Sequence, residues 1–141
     1  MKRPEEIRRG LVQEWLDKSQ EDLGVADYLL RERLPYLNAI GFHAQQAAEK
    51  VLKAFLVRHQ LEFPKTHNLG ELLDLVAQVA PALATTLGCA TALNPYGVDV
   101  RYPGDLPHMT DEDAAQAVSL SAQVREAVLR VMQAYLDGQE G

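Results

Sequence analysis

Ile40-Gly41-Phe42-His43-Ala44-Gln45-Gln46-Ala47-Ala48-Glu49-Lys50-Val51-Leu52-Lys53-Ala54-Phe55 is the stretch on which the fold turns. Ile40, Ala44, Ala47, Ala48, Val51 and Phe55 recur at helical steps and form one apolar stripe. Three of the six are alanines, so a partner helix can approach closely. The spacing predicts a helix from about Tyr36 to Gln60, bounded by Pro35 before it and by a loop from Leu61 to His67 that contains Pro64.

Upstream, Pro4 followed by Glu5 and Glu6 is a favoured helix start, with both carboxylates at the positive end of the helix. Ile7, Leu11, Trp15, Ser19, Leu23, Ala26 and Leu30 recur at three- and four-residue steps and predict the buried side of this first helix. Downstream, Asn68 with Glu71 has capping-box spacing and opens a third helix running through Ala80. Pro81 restarts the chain into a fourth helix, from Ala82 to about Leu93, which Asn94-Pro95-Tyr96-Gly97 ends. Val98 to Met109, with Pro103, Gly104 and Pro107, reads as a loop. Thr110 with Asp113 caps a last helix whose seam is Ala117, Ser121, Val124, Val128, Val131 and Tyr135. No segment alternates with period 2, so no sheet is expected. The fold class is all-α: an up-down antiparallel bundle of four to five helices, in one domain covering residues 1–141.

Hydrophobic residues make up 47% and charged residues 24%, a globular balance. The net charge of −6 argues against a general coat for nucleic acid, which needs positive surface. The charge is uneven, however. Residues 1–60 hold 10 Lys/Arg and 9 Asp/Glu, whereas residues 61–141 hold 4 and 11, so an anion site must be local. One cysteine, Cys89, excludes an intrachain disulfide, and its apolar setting between Leu83 and Leu93 predicts a small core residue. No apolar run approaches the ~20 residues that span a bilayer, and the N-terminus has no signal core. The expected location is the cytoplasm.

Two constellations carry chemistry. On the second helix His43, Gln46, Lys50 and Lys53 fall within about one quadrant, opposite the apolar stripe. Two ammonium groups, an imidazole and an amide on one face could hold a phosphate. The alternative is a solvated face on which Glu49 pairs with Lys53 at i,i+4. The second constellation is the loop from Tyr96 to His108, with Asp99, Arg101, Tyr102 and Asp105 between. Arg grips phosphate with two parallel hydrogen bonds, and Tyr stacks on bases. His108 could take the proton of a ribose 2′-hydroxyl while Arg101 stabilises charge growing on the phosphate oxygens. The alternative is a structural loop with Arg101 paired to Asp99 or Asp105. No glycine-rich phosphate loop and no Ser/His/Asp order suggest another catalysis, and no cofactor is expected. His67 with Glu71, or His108 with Asp111 and Asp113, lack the Glu-x-x-His pairing of metal-binding bundles, so no metal site is expected. His67 instead reads as a brace for the start of the third helix, and Trp15 as core or interface.

Phe42 to Leu56, Phe63-Pro64-Lys65-Thr66-His67-Asn68-Leu69 and Arg101-Tyr102-Pro103 together resemble the HEPN domain family in order and spacing, with Trp15 and Asp22-Leu23 in a matching first helix. The resemblance implies an α-helical bundle, homodimeric, that binds nucleotide or RNA. It also implies, for stand-alone prokaryotic members, a partnership with a minimal nucleotidyltransferase, in some cases as a toxin–antitoxin pair. On this resemblance His43, Gln46, Lys50, Lys53, Arg101 and Tyr102 would bind nucleotide or phosphate. Some members are metal-independent ribonucleases with an Arg and a His four to six residues apart in the chain between them. Arg101 and His108 fit that spacing and are the candidate catalytic pair, although Tyr102 follows the Arg and Pro103 and Pro107 interrupt any helix between. A third alternative is a purely structural protein-interaction subunit.

Overall fold

In a computed structural model, residues 2–97 and 108–139 are described. They form α1 (Pro4–Arg31), α2 (Leu37–Arg58), α3 (Leu69–Ala77), α4 (Pro81–Thr86), a 3-10 segment (Gly88–Tyr96) and α5 (Asp111–Leu136), with no strand among the described residues. The packing is that of an up-down bundle. α1 lies along α2, α5 lies against another side of α2, and α3 with the 3-10 segment closes a further side.

α2 is thus the axis of the bundle. Its expected stripe of Ile40, Ala44, Ala47, Ala48, Val51 and Phe55 is fully buried, and so are Leu52, Ala54 and Leu56. The alanines have the consequence that small residues allow. The Ser19 hydroxyl of α1 donates to the Ala47 carbonyl at 2.7 Å, and the Ser121 hydroxyl of α5 donates to the Ala44 carbonyl at 2.6 Å. Both neighbours are pinned to α2 through backbone carbonyls that only a close approach exposes.

The helix ends are built by local hydrogen bonding. Thr110 and Asp113 form a reciprocal capping box on α5. Asn68 caps α3 by accepting from the Gly70 and Glu71 amides, but the return half of the box is missing, because the Asn68 amide donates to the Thr66 hydroxyl instead. α1 and α2 both end in the left-handed region at non-glycine residues, Arg33 (φ 55) and Gln60 (φ 58). In each, the following amide reaches back to the carbonyl five residues earlier, Leu34 to Leu29 and Leu61 to Leu56.

Several sequence expectations shift by a residue. The buried seam of α1 is Val12, Leu16, Ser19, Asp22 and Ala26, with Trp15, Leu23 and Leu30 of the expected stripe packed beside it, while Ile7 and Leu11 face outward. Both stripes are apolar, and the sequence does not rank them. On α5, Met132 is buried in place of Val131, which is exposed. The fourth helix ends at Thr86, and the chain tightens into the 3-10 segment rather than continuing to Leu93 as α-helix. Three residues per turn re-aim the side chains there, and Cys89 is exposed rather than in the core. No helix among the described residues is long and apolar enough to cross a membrane.

Candidate functional site

The polar face of α2 is covered rather than solvated, and two carboxylates organise it. The first, Asp22, occupies a seam position of α1 and is buried against α2. Its Oδ1 lies 2.8 Å from His43 Nδ1 and its Oδ2 lies 2.5 Å from Lys50 Nζ. A carboxylate facing Nδ1 favours the proton there, which leaves His43 Nε2 as the nitrogen not engaged by Asp22. The side chains of His43 and Lys50 keep 30% and 21% of their surface, so each has an open side beyond its contact with Asp22. One ammonium proton of Lys50 is used on Asp22, and two remain to donate elsewhere.

The second carboxylate, Glu49, is sealed. Its Oε2 accepts from Lys53 Nζ at 2.9 Å. Its Oε1 lies 2.9 Å from His67 Nδ1 and accepts longer bonds from the Gln45 and Gln46 amides, at 3.3 and 3.4 Å. Lys53 is buried, with its ammonium 5.4 Å from the Trp15 ring centre and 5.7 Å from that of Phe63. Trp15 and Phe63 themselves meet edge to face. Gln46 is buried and donates to Gln45, whose own amide donates to the His67 carbonyl. The i,i+4 pair of Glu49 and Lys53 therefore exists, but in the interior. His67 braces α2 through Glu49, not the start of α3 as its position suggests. Glu49 ties the loop from Leu61 to His67 down onto α2.

The sequence candidates separate accordingly. His43 and Lys50 reach solvent side by side on Asp22, whereas Gln46 and Lys53 lie beneath the surface on Glu49. His108 is described and exposed, just ahead of the α5 cap. Arg101 and Tyr102 lie outside the described residues. The flanks of their segment are seated on the other side of α2 from His43. A Cβ on Gly97 would meet the Gln45 amide at 2.8 Å, and one on Gly41 would meet Met109 at 2.9 Å and Tyr96 at 3.0 Å. Glycine at both positions is what allows these close approaches. Burial, and then the nearby Asp113 charge, push the Tyr96 pKa above the usual phenol value. Among the described residues no group of three or more His, Cys, Asp or Glu could hold a metal ion.

Asp22 is the site residue that composition and spacing underrate. Its signal was present: a carboxylate in an otherwise small or apolar seam, three residues after Ser19 and four before Ala26, requires a buried partner.

This geometry has relatives. The HEPN domain pattern matches residues 12–131. The crystal structure of ST0689, an archaeal HEPN homologue, is similar with a TM-score of 0.68 at 27% identity, over 94% of this chain and 99% of that one. The crystal structure of TT1696 from Thermus thermophilus is similar with a TM-score of 0.66 at 26% identity, over 84% of this chain and 96% of that one. No curated protein matches. With the match running from α1 through most of α5, this chain belongs to the HEPN domain family.

Proposed function

We propose that this protein is a cytoplasmic, homodimeric nucleotide- or RNA-binding subunit, one domain per chain, that acts with a minimal nucleotidyltransferase as one half of a toxin–antitoxin pair. The observation that carries the binding part is the pairing of His43 and Lys50 on Asp22, each with an open side. Asp22 fixes two donors in one place, and an arriving phosphate adds a second partner to each, which neither has among the described residues. Gln46 and Lys53 serve this site from beneath, by holding Glu49 and the loop below it.

Arg101 and Tyr102 complete the site in this reading, Arg101 on phosphate and Tyr102 on a base. For that the chain must cross from the Gly41 and Gln45 side of α2 to the His43 side. Arg101 is four residues beyond Gly97, which gives up to ~13 Å of extended chain plus its own side chain to reach round the helix.

The test titrates ATP and a short single-stranded RNA against wild type, His43→Ala/Lys50→Ala and Arg101→Ala. Loss of two charge-assisted contacts is expected to weaken binding at least tenfold, at roughly 1.4 kcal/mol per factor of ten. Binding unchanged in the double variant removes this site.

A further inference from the structure

α1 and α5 both pack against α2, and two cavities open in the groove between them. The first, of about 440 Å³, lies where Leu23 of α1 faces Ala122 and Leu129 of α5. The second, of about 390 Å³, lies where Leu30 of α1 faces Ala115 of α5, with Ile40 of α2 also in its wall. Leu23 and Leu30 are seven residues apart, and Ala122 and Ala115 are seven apart in the reverse order, because the two helices run antiparallel. Seven residues are two turns, so the cavities repeat along the groove at ~10.5 Å. A leucine on one wall and an alanine on the other make each cavity a recess for a large apolar side chain from outside.

Each cavity also carries an arginine. Arg125 is half-buried in the first, and its one hydrogen bond is a long one, Nη1 to the Ser19 hydroxyl at 3.4 Å. Burial pushes its guanidinium pKa down, against the pull of the more distant Asp17 charge. Arg33 lines the second cavity. Among the described residues no carboxylate stands within ion-pair distance of either guanidinium. The carboxylates in the same walls are placed otherwise. Glu126 pairs with Arg130 at 2.8 Å, and Asp111 sits in the first turn of α5, at the positive end of that helix. A half-buried cation with so little compensation calls for an anion from outside.

We infer that this groove takes an amphipathic helix of another protein, one with two large apolar side chains a heptad apart and an acidic side chain beside each. The apolar pair fills the recesses at Ala122 and Ala115, and the carboxylates meet Arg125 and Arg33. Side chains at i and i+7 share one face of a helix, so a single straight helix engages both recesses at once. The apolar walls and the two carboxylates in them speak against a phosphate backbone, which needs positive surface. A second copy fits poorly as the occupant. The exposed large hydrophobics of the long helices are Ile7, Leu11, Val25 and Tyr28 on α1 and Val131 on α5, and no two of them on one helix are seven apart. The groove shares no residue with the His43 and Lys50 site, so each stands or falls without the other.

Fluorescence anisotropy with labelled, alanine-based helical peptides tests it. One peptide carries leucines at i and i+7 with a glutamate beside each. A second has lysines in place of the glutamates, and a third keeps the glutamates but moves the second leucine to i+9, on the opposite face. Each is titrated against wild type, Arg125→Glu and Ala122→Trp, with far-UV circular dichroism to show that the variants are folded. The leucine–glutamate peptide is expected to bind wild type at least roughly tenfold more tightly than either control. Arg125→Glu is expected to weaken that peptide and to strengthen the lysine one, and Ala122→Trp, which fills a recess, to weaken both. No binding of the leucine–glutamate peptide, equal binding of all three, or binding that neither variant changes overturns the surface. The peptide series on wild type and Arg125→Glu decides the matter even if Ala122→Trp does not fold. Sedimentation velocity on wild type and Ala122→Trp reads the other occupant: a wild-type dimer that the tryptophan turns into a monomer assigns the groove to a second copy and overturns the foreign helix.

Discussion

Lys50 and Lys53 stand one turn apart on the same face of α2, and they live in different media. Lys50 leans on Asp22 at the surface, with part of its side chain in water. Lys53 is shut under Trp15 and Phe63, with Glu49 as its counter-ion. Residue type and helical spacing are alike at the two positions. The difference comes from what covers them: a turn of α1 that carries a carboxylate in one case, and an aromatic pair bridging α1 and the loop after α2 in the other. A cation on a helix is a candidate for ligand binding only where its cover leaves a side open, and that is a tertiary property.

The sharpest way to break the comparison is to remove each carboxylate in turn. Glu49→Ala strands the Lys53 ammonium in the interior and releases the His67 ring, through which the loop is tied to Glu49. The expected loss is about 3–5 kcal/mol of unfolding free energy by urea denaturation. A loss under about 1 kcal/mol would mean that water reaches Lys53 and that the two lysines are not so different after all.

Asp22→Asn should cost less stability, about 1–2 kcal/mol, because Lys50 and His43 can turn their charge to solvent. It should also act in the opposite direction on ligand. Removing a negative charge ~5 Å from a bound phosphate is worth about 0.8 kcal/mol even with the full screening of bulk water, roughly a fourfold gain in ATP affinity at the least. Isothermal titration decides the sign. Weaker binding by Asp22→Asn would show that the carboxylate's hold on the two donors matters more than its charge.

The same contrast explains what could be read from the sequence. The α2 stripe was legible because alanines and β-branched or aromatic residues recur without a competing stripe. So was the α5 start, because a threonine followed at three residues by an aspartate admits few other roles. The α1 seam was legible from Trp15 onward, but not in its first turns, because Ile7 and Leu11 on one stripe match Val12 and Leu16 on the next, and only the position of α2 chooses between them. Cys89 was misplaced because a change from 3.6 to 3 residues per turn leaves no mark in composition. His43, Gln46, Lys50 and Lys53 share one face of α2, as their spacing predicts. Their division into open and sealed pairs depends on Trp15, Asp22 and Phe63, which come from other parts of the chain.

The smallest effect concerns a carboxylate with no cationic partner among the described residues, and it serves as the reference for the other two. Asp113 is held below the usual carboxylate range chiefly by the Thr110 amide, and then by the Thr110 hydroxyl. A carboxyl whose folded pKa is depressed adds stability that is fully present above its unfolded value and fades as pH falls through the folded one. The capping contribution to α5 is therefore expected to be constant from neutrality down to about pH 4 and to decline below that. Urea denaturation at a series of pH values, on wild type and Asp113→Asn, isolates it: the two curves should be separated above that pH and should converge below it. Because Asp113 is at the surface, high salt should change this separation little if hydrogen bonding to the Thr110 amide is the cause, as short directed contacts are screened less than distant charges. A gap that closes in salt at neutral pH would assign the effect to the charge of Asp113 at the helix start instead, and would make it an electrostatic relative of the Asp22 cluster rather than a cap.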